Sequence, residues 1–539
     1  MDRSSLPGFY NAIIKLSMNG LDYGIVVLYI VVMMALGFYF KKSKGSKDYF
    51  LGNKQFGWFS LCLSVMATQL SVISFVSAPA FVGLRAGGGM QWLTFEFGVP
   101  LAMAILIATL APSLFRSGVV SVYSYLEKRF GRSSRNLLSF VFLASRSFGT
   151  SIGIYAVTLI LSSILVLPFW QTIIIVAGIT VIYSYEGGMK AIVYSEVIQM
   201  IIKFLGILII MGYAFHYVGG WDNFTQNLDR DRLQVVKFSN SGFDGTEYGF
   251  WPMLLGGIFL YISYYGVDQT QAQRILSAKD ESTVKKLLLF NGLFRFPITL
   301  SYCFAGLLLG TYYKMNGDFA ALIPKDKPDL MVPVFLTRYL PHGVIGIIVV
   351  SILAAAMSSF SSTLNSLSAV TMEDFVSKRK GFKPQRYVIY SKLAAMGWGV
   401  VIIFLAFHVG DIAKTVIEAI NKIGSLFYGP IVTMFIIGFY FKKIPALSAN
   451  AGVISGVLVN LLLWIFYKEE VFWFWWNLTG AVVTFLVAFI LTYIFAIRQP
   501  DTENAAATVP VRFLSWHTFL LFSFFILIFI FCLMLPYLF

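Results

Sequence analysis

The chain has 539 residues, 58% of them hydrophobic and only 12% charged. A soluble domain carries about 25% charged residues, so a string of soluble domains is excluded and an all-α polytopic membrane protein is expected. The net charge of +15 does not mark a nucleic-acid binder, because many of the basic residues fall in short loops between apolar segments, the positive-inside pattern of a membrane protein.

About fourteen apolar segments follow one another, most of them near the ~20 residues a bilayer needs. They run over 21–40, 57–85, 88–113, 137–166, 169–186, 189–217, 250–276, 284–313, 342–377, 387–408, 411–441, 446–467, 471–497 and 513–539. The first is full length and followed by lysines, so it reads as a span and not as a cleaved signal peptide. Lys41, Lys42, Lys44, Lys47 and Lys54 follow the first span. Arg116, Lys128, Arg129, Arg132 and Arg135 follow the third. Lys378, Arg379, Lys380, Lys383 and Arg386 follow the ninth, and Lys442 and Lys443 the eleventh. These loops alternate so as to share one side, the cytoplasm, which puts both termini outside a cell (plasma or inner) membrane. The longest opposite-side loop, 218–249, carries Trp221, Phe224 and Phe238 and is expected to fold over an entrance. The 498–512 segment reads as a linker, leaving no soluble catalytic or signalling domain. Cys62, Cys303 and Cys532 lie in apolar runs, against a disulfide framework, and the four histidines have no metal-ligand spacing.

The second span is broken by Thr68, Gln69, Ser71 and Ser74, with Pro79 in the next turn. A broken helix exposes carbonyls and amides that suit ion and solute binding near the midplane. The seventh span has a similar interruption, Tyr261-Ile-Ser-Tyr-Tyr-Gly-Val-Asp-Gln, ending at Arg274. Two interrupted spans five apart are what an inverted repeat produces. The expected organisation is a leading unit over 1–56, repeats over 57–217 and 250–441 separated by the 218–249 loop, and three trailing spans over 442–539.

Ionisable residues at membrane depth normally face a cavity or a partner. Here they are Glu96, Arg146, Glu196, Lys203, Arg295 and Lys422. Glu96 and Arg295 are placed to face a cavity. For Lys203 and Arg146, in the cytoplasmic halves of their spans, a structural ion pair or a snorkelling end reads equally well.

The ninth span holds the densest signal. Ser358, Ser359, Ser361, Ser362, Thr363, Asn365, Ser366 and Ser368 crowd into about three helical turns. Neutral oxygens at this depth are the ligands a small cation exchanges for its water. Serines also let helices approach closely, but two adjacent pairs favour an ion site.

With these segments in hand, the chain resembles the sodium/solute symporter family, which includes sodium/glucose, sodium/sialic acid and sodium/monocarboxylate cotransporters. The marks span nearly the whole chain. They are Ser71 to Pro79 in the broken helix, Tyr125-Leu-Glu-Lys-Arg-Phe-Gly131, Tyr183-Ser-Tyr-Glu-Gly-Gly-Met-Lys-Ala191, Val197-Ile-Gln199, Asp268-Gln269 with Gln273-Arg274, and Ala354-Ala-Ala-Met-Ser-Ser-Phe-Ser-Ser-Thr-Leu-Asn-Ser366. The resemblance implies a five-plus-five inverted-repeat (LeuT-like) core. It also implies a principal sodium site of Ala67, Leu70 and Ala355 carbonyls with Ser358 and Ser359 hydroxyls. Some members carry a second sodium on an Asp and two serines; the matching positions are Ser361, Ser362 and Glu196, whose longer side chain places its carboxylate differently. For solute, the resemblance implies Gln69, Ser71, Ser74, Glu96, Thr150, Tyr261, Arg295 and Lys422, with Phe95 and Tyr264 as gates. Glu96 matches a sugar contact, whereas Arg295, Lys422 and Arg146 suit a carboxylate, and Ser368-Ala-Val-Thr-Met-Glu-Asp-Phe375 leans toward the monocarboxylate and iodide branch.

The expected function is sodium-coupled import of a small polar organic solute, sugar or sugar-like, with a monocarboxylate, sialic acid or other small anion as the alternative. A sodium-independent uniporter or channel is a further class; the chain has no filter motif to support a channel. A membrane enzyme would need a nucleophile–base pair or a metal cluster in the spans. The partners expected are solute, sodium and the lipid bilayer, with no nucleic acid and no obligatory protein partner evident.

Overall fold

A computed structural model describes residues 18–41, 45–409, 416–494, 511 and 513–539. The 1–17 tail, Lys42, Lys44 and nearly all of the 498–512 linker lie outside the described residues. Among the described residues the chain is helical, with twelve helices long and apolar enough to cross a membrane, or thirteen if a bent pair, Trp58–Gln69 and Val72–Gly83, is one span.

The expected fourteenth span is hidden in a continuous helix, Phe169–Val218, of 50 residues. At about 1.5 Å per residue it would reach roughly 75 Å, more than twice a bilayer core of about 30 Å. It is broken in direction at Gly188 (φ 56, ψ −154), a backbone geometry open to glycine and to few other residues. The expected spans 169–186 and 189–217 are its two arms.

Burial sorts the helices. The serine helix Val344–Val370 is almost wholly buried. It packs against Phe169–Val218, Arg132–Leu165, Tyr387–Ala406, the leading helix Gly20–Tyr39 and the inner half of the broken helix, Trp58–Gln69. The leading helix and the trailing helices Ala446–Phe466, Trp475–Ile494 and Trp516–Leu538 are largely exposed apolar cylinders, as a helix facing lipid must be.

The broken helix bends by 74° between Gln69 and Val72. Its outer half crosses Glu281–Met315 at backbone contact. A Cβ on Gly83 would meet the Gly306 carbonyl at 2.4 Å, and one on Gly306 the Pro79 carbonyl at 2.6 Å. Close approach of this kind is what small residues provide in membrane helices.

The 218–249 loop folds down over this region, as its aromatics suggested. Phe224, Leu233 and Val235 are buried, and Thr94 donates to the Val235 carbonyl at 2.7 Å. Arg232 reaches the carbonyls of Val82 (2.9 Å) and Arg85 (3.2 Å) at the outer end of the broken helix, supplying donors that a helix C-terminus lacks. Trp221 and Phe238 of the same loop stay half exposed.

Candidate ion and solute sites

The break at 70–71 opens a cage of backbone and hydroxyl oxygens. In a continuous helix the Ser71 amide would bond to the Ala67 carbonyl and the Ser74 amide to the Leu70 carbonyl. Here Ser71 N–H bonds to Gln69 O (2.9 Å) and Ser74 N–H to Ser71 O (3.1 Å), so the Ala67 and Leu70 carbonyls are released. The serine helix meets them. The Ser358 hydroxyl donates to the Ala67 carbonyl (2.9 Å), the Ser359 hydroxyl to the Thr68 carbonyl (2.8 Å), and both hydroxyls lie 3.2–3.4 Å from the Ala355 carbonyl. The five residues implied for the principal sodium site thus lie together at the break, with Ser358 on the Ala67 carbonyl and Ser359 on that of Thr68.

A protein cation already engages three of the five. Lys203, on the Phe169–Val218 helix, extends its ammonium into the cage. It donates to the Ala67 carbonyl and, at 3.0 Å each, to the Leu70 carbonyl and the Ser358 hydroxyl. The side chain is fully buried among protein atoms, which corrects the snorkelling reading of Lys203.

One turn further in, the carboxylate of Glu196 is ringed by the hydroxyls of Ser64, Thr68 (2.9 Å) and Ser362. Arg274 closes the ring, with Nη2 2.9–3.0 Å from both carboxylate oxygens, and it also reaches Ser64, Thr68 and Ser362. The second sodium set is therefore only partly assembled. Glu196 and Ser362 meet, Ser361 bonds instead to the Ser358 carbonyl at 3.1 Å, and a guanidinium lies against the carboxylate. Asp268 caps the Gln269–Leu276 helix that carries Arg274, directly after a π-helical turn at Ser263–Val267, a feature frequent at functional sites. Sequence reasoning noted Arg274 only as the end of a motif. A signal for Lys203 was available, since it lies seven residues after Glu196 and so on the same helix face.

On the other side of the break lies a cavity of about 210 Å³. Of the residues expected to meet solute, Gln69, Ser71, Ser74, Thr150, Tyr261 and Arg295 line it, with the expected gates Phe95 and Tyr264. Phe95 and Tyr261 are stacked at 5.9 Å, and Thr150 bonds to Thr363 of the serine helix (3.3 Å). Ala355 and Ser359 line it too, so cage and cavity share a wall.

Two expected solute contacts are corrected. Glu96 is fully buried behind the cavity. Its carboxylate receives Arg295 Nε (3.1 Å) and Nη2 (2.9 Å), Thr299 (2.9 Å) and Tyr261 (3.3 Å). Such a two-toothed guanidinium–carboxylate pair fixes the arginine in direction, so Glu96 aims Arg295 and does not itself line the cavity. Lys422 is absent from the lining; its neighbour Asn421 takes that place, about 100° away on the helix. Arg146 lines the cavity as well as Arg295. It pairs with Asp268 (2.8 Å), bonds to Thr270 (3.0 Å) and lies over the Tyr264 ring at 5.5 Å.

Known proteins share this architecture. The family profile described as Sodium:solute symporter family matches residues 49–456. The human sodium/iodide cotransporter is 26% identical over 449 residues, covering 82% of this chain and 69% of that protein. The Bos taurus sodium-coupled monocarboxylate transporter 2 is also 26% identical, over 81% of this chain and 71% of its own. A Na+-coupled sialic acid symporter, solved in a substrate-bound outward-open state, superposes with a TM-score of 0.77 at 24% identity, over 89% of this chain and 99% of that one. That likeness shows the fold, an all-α LeuT-like membrane bundle.

Proposed function

The chain belongs to the sodium:solute symporter family, multi-pass membrane transporters rather than enzymes, with sodium as the coupling ion; from that premise we propose that it imports a small carboxylate-bearing organic solute by alternating access. The observation that carries this reading is the pair of guanidiniums, Arg295 and Arg146, in the wall of one cavity. Each is held by its own carboxylate through Nε or Nη2, which leaves Nη1 as the donor for an anionic group. Of the cargoes named for the relatives, monocarboxylate and sialic acid carry a carboxylate, and iodide shares only the negative charge. A neutral sugar is favoured less, because Glu96, its implied hydroxyl contact, is turned into the Arg295 pair.

In this cycle the repeats 57–217 and 250–441 rock about the cavity. Sodium ties the broken helix to the serine helix through Ala67, Leu70, Ala355, Ser358 and Ser359, and Gln69, Ser71 and Ser74 are thereby set for solute. Phe95 and Tyr264 close over the cargo. The membrane potential supplies about 2.3 kcal/mol per charge for each 100 mV. Both termini and the 218–249 loop face outside.

The test is uptake into proteoliposomes of a labelled panel (lactate, pantothenate, sialic acid, hexoses, inositol, proline) with and without an inward sodium gradient. Sodium-driven uptake confined to the carboxylates is expected. Uptake of hexose or inositol alone would reverse the solute assignment.

A further inference from the structure

The ammonium of Lys203 bonds to atoms that the cage would offer to sodium: two released carbonyls and a serine hydroxyl. It has three N–H donors and three acceptors there, so its bonding is complete. Among the described residues no carboxylate pairs with it, because the nearby Glu196 is taken by Arg274 at 2.9 Å. The ammonium is thus held by neutral oxygens alone, as a sodium ion would be, and this separates it from an ordinary buried ion pair.

Two positive charges cannot share that space. At contact distance their repulsion, in a buried setting without water to screen it, exceeds anything the remaining carbonyl and hydroxyl can return. The lysine is also tethered, which gives it a high effective concentration at the cage without any counterpart in solution.

We propose that Lys203 is a built-in competitor for sodium: its ammonium and a sodium ion are alternative occupants of one cage, and sodium gains the cage only as the lysine withdraws. The inference rests on the reading of this cage as the coupling site. It gives the sodium-free protein a way to keep the broken helix and the serine helix joined, since the released carbonyls are never left bare in the membrane interior, where an unsatisfied polar group is costly. It also makes the strength of sodium coupling a property of one side chain outside the implied ligand set.

The experiment is radiosodium binding to the purified full-length chain in nanodiscs, without solute, comparing wild type with Lys203→Met and Lys203→Gln. The expected result is a fall of at least tenfold in the sodium concentration for half-saturation in both variants. Unchanged sodium affinity in folded variants overturns the proposal. If neither variant folds, the wild type alone decides. Amine-directed reductive methylation, read by mass spectrometry at Lys203, should rise with sodium and not with choline. Sodium saturation without a change in Lys203 labelling overturns the proposal equally. Because neither readout uses solute, a panel without any transported carboxylate would remove the solute assignment and leave this competition standing, and sodium-driven uptake with sodium-blind Lys203 variants would do the reverse.

Discussion

The two polar sites on either side of the broken helix are built from one stretch, 67–74, and solve opposite problems. The cage side uses backbone: carbonyls freed by the break are bonded by Ser358, Ser359 and Lys203, and the neighbouring Glu196 is enclosed by three hydroxyls and Arg274. Nearly every polar atom there has a partner within the protein. The cavity side uses side chains, and its two guanidiniums are oriented by carboxylates set behind or beside them. The first region is closed and charge-compensated from within, whereas the second keeps an open volume lined by donors. The comparison teaches that a break in a membrane helix supplies two sites for one interruption, because main chain and side chains leave it in different directions.

Variants on the two sides should separate along this line. The largest effect is expected for Glu196→Gln, which strands the Arg274 guanidinium in a fully buried position. Removing one partner of a buried pair costs about 3–5 kcal/mol, so the melting temperature of the purified protein should drop sharply, with loss of uptake as a consequence. On the cavity side, Arg295→Lys keeps the charge and loses the fork on Glu96. Uptake kinetics should show KM for solute raised roughly tenfold, about 1.4 kcal/mol, with sodium half-saturation nearly unchanged. Equal shifts in both would erase the distinction between the two regions. Ser359→Ala touches the shared wall. Loss of its bond to the Thr68 carbonyl, worth about 1 kcal/mol, should raise the sodium requirement several-fold and the solute requirement less. The smallest effect belongs to Ser361→Ala, whose hydroxyl bonds to the Ser358 carbonyl of its own helix and does not reach Glu196. Thermal melting should place it within about 0.5 kcal/mol of wild type, well below Ser362→Ala at the Glu196 ring.

How much of this was legible in the chain follows from the kind of signal each part gives. Spans and their order come from hydropathy, which the bilayer enforces residue by residue, so even the arms of Phe169–Val218 were separable before Gly188 was seen to turn the chain. The serine stripe was legible for the same reason, as polar oxygens where lipid forbids them. What escaped is direction. Ser361 and Ser362 are adjacent letters, yet only one reaches Glu196. Lys422 and Asn421 differ by a single step around the helix, and only the asparagine lines the cavity. Glu96 stood at a sugar-contact position but is claimed by Arg295 from a helix about two hundred residues on. Lys203 was visible as a charge at depth, and its target was not, because the carbonyls it seeks belong to another helix and are released only by that helix's break. Long-range partners of charged side chains are set by packing, on which composition and periodicity are silent.

The break also has a mechanical meaning. The inner half, Trp58–Gln69, is fastened to the serine helix and, through Ser64 and Thr68, to Glu196 and Arg274. The outer half is pressed at Gly83 and Pro79 onto Glu281–Met315 and clasped at its end by Arg232. Both halves touch Glu281–Met315, where Trp58 of the inner half stacks on Phe290 at 4.5 Å, so they share that neighbour and differ in these other fastenings, with Leu70 and Ser71 as the joint between them. A change of angle between the halves must pass through two residues, one bonded to Lys203 and the other lining the cavity. A staple within either half would leave such a joint free to turn, and a staple across it would lock the machine with its sites intact.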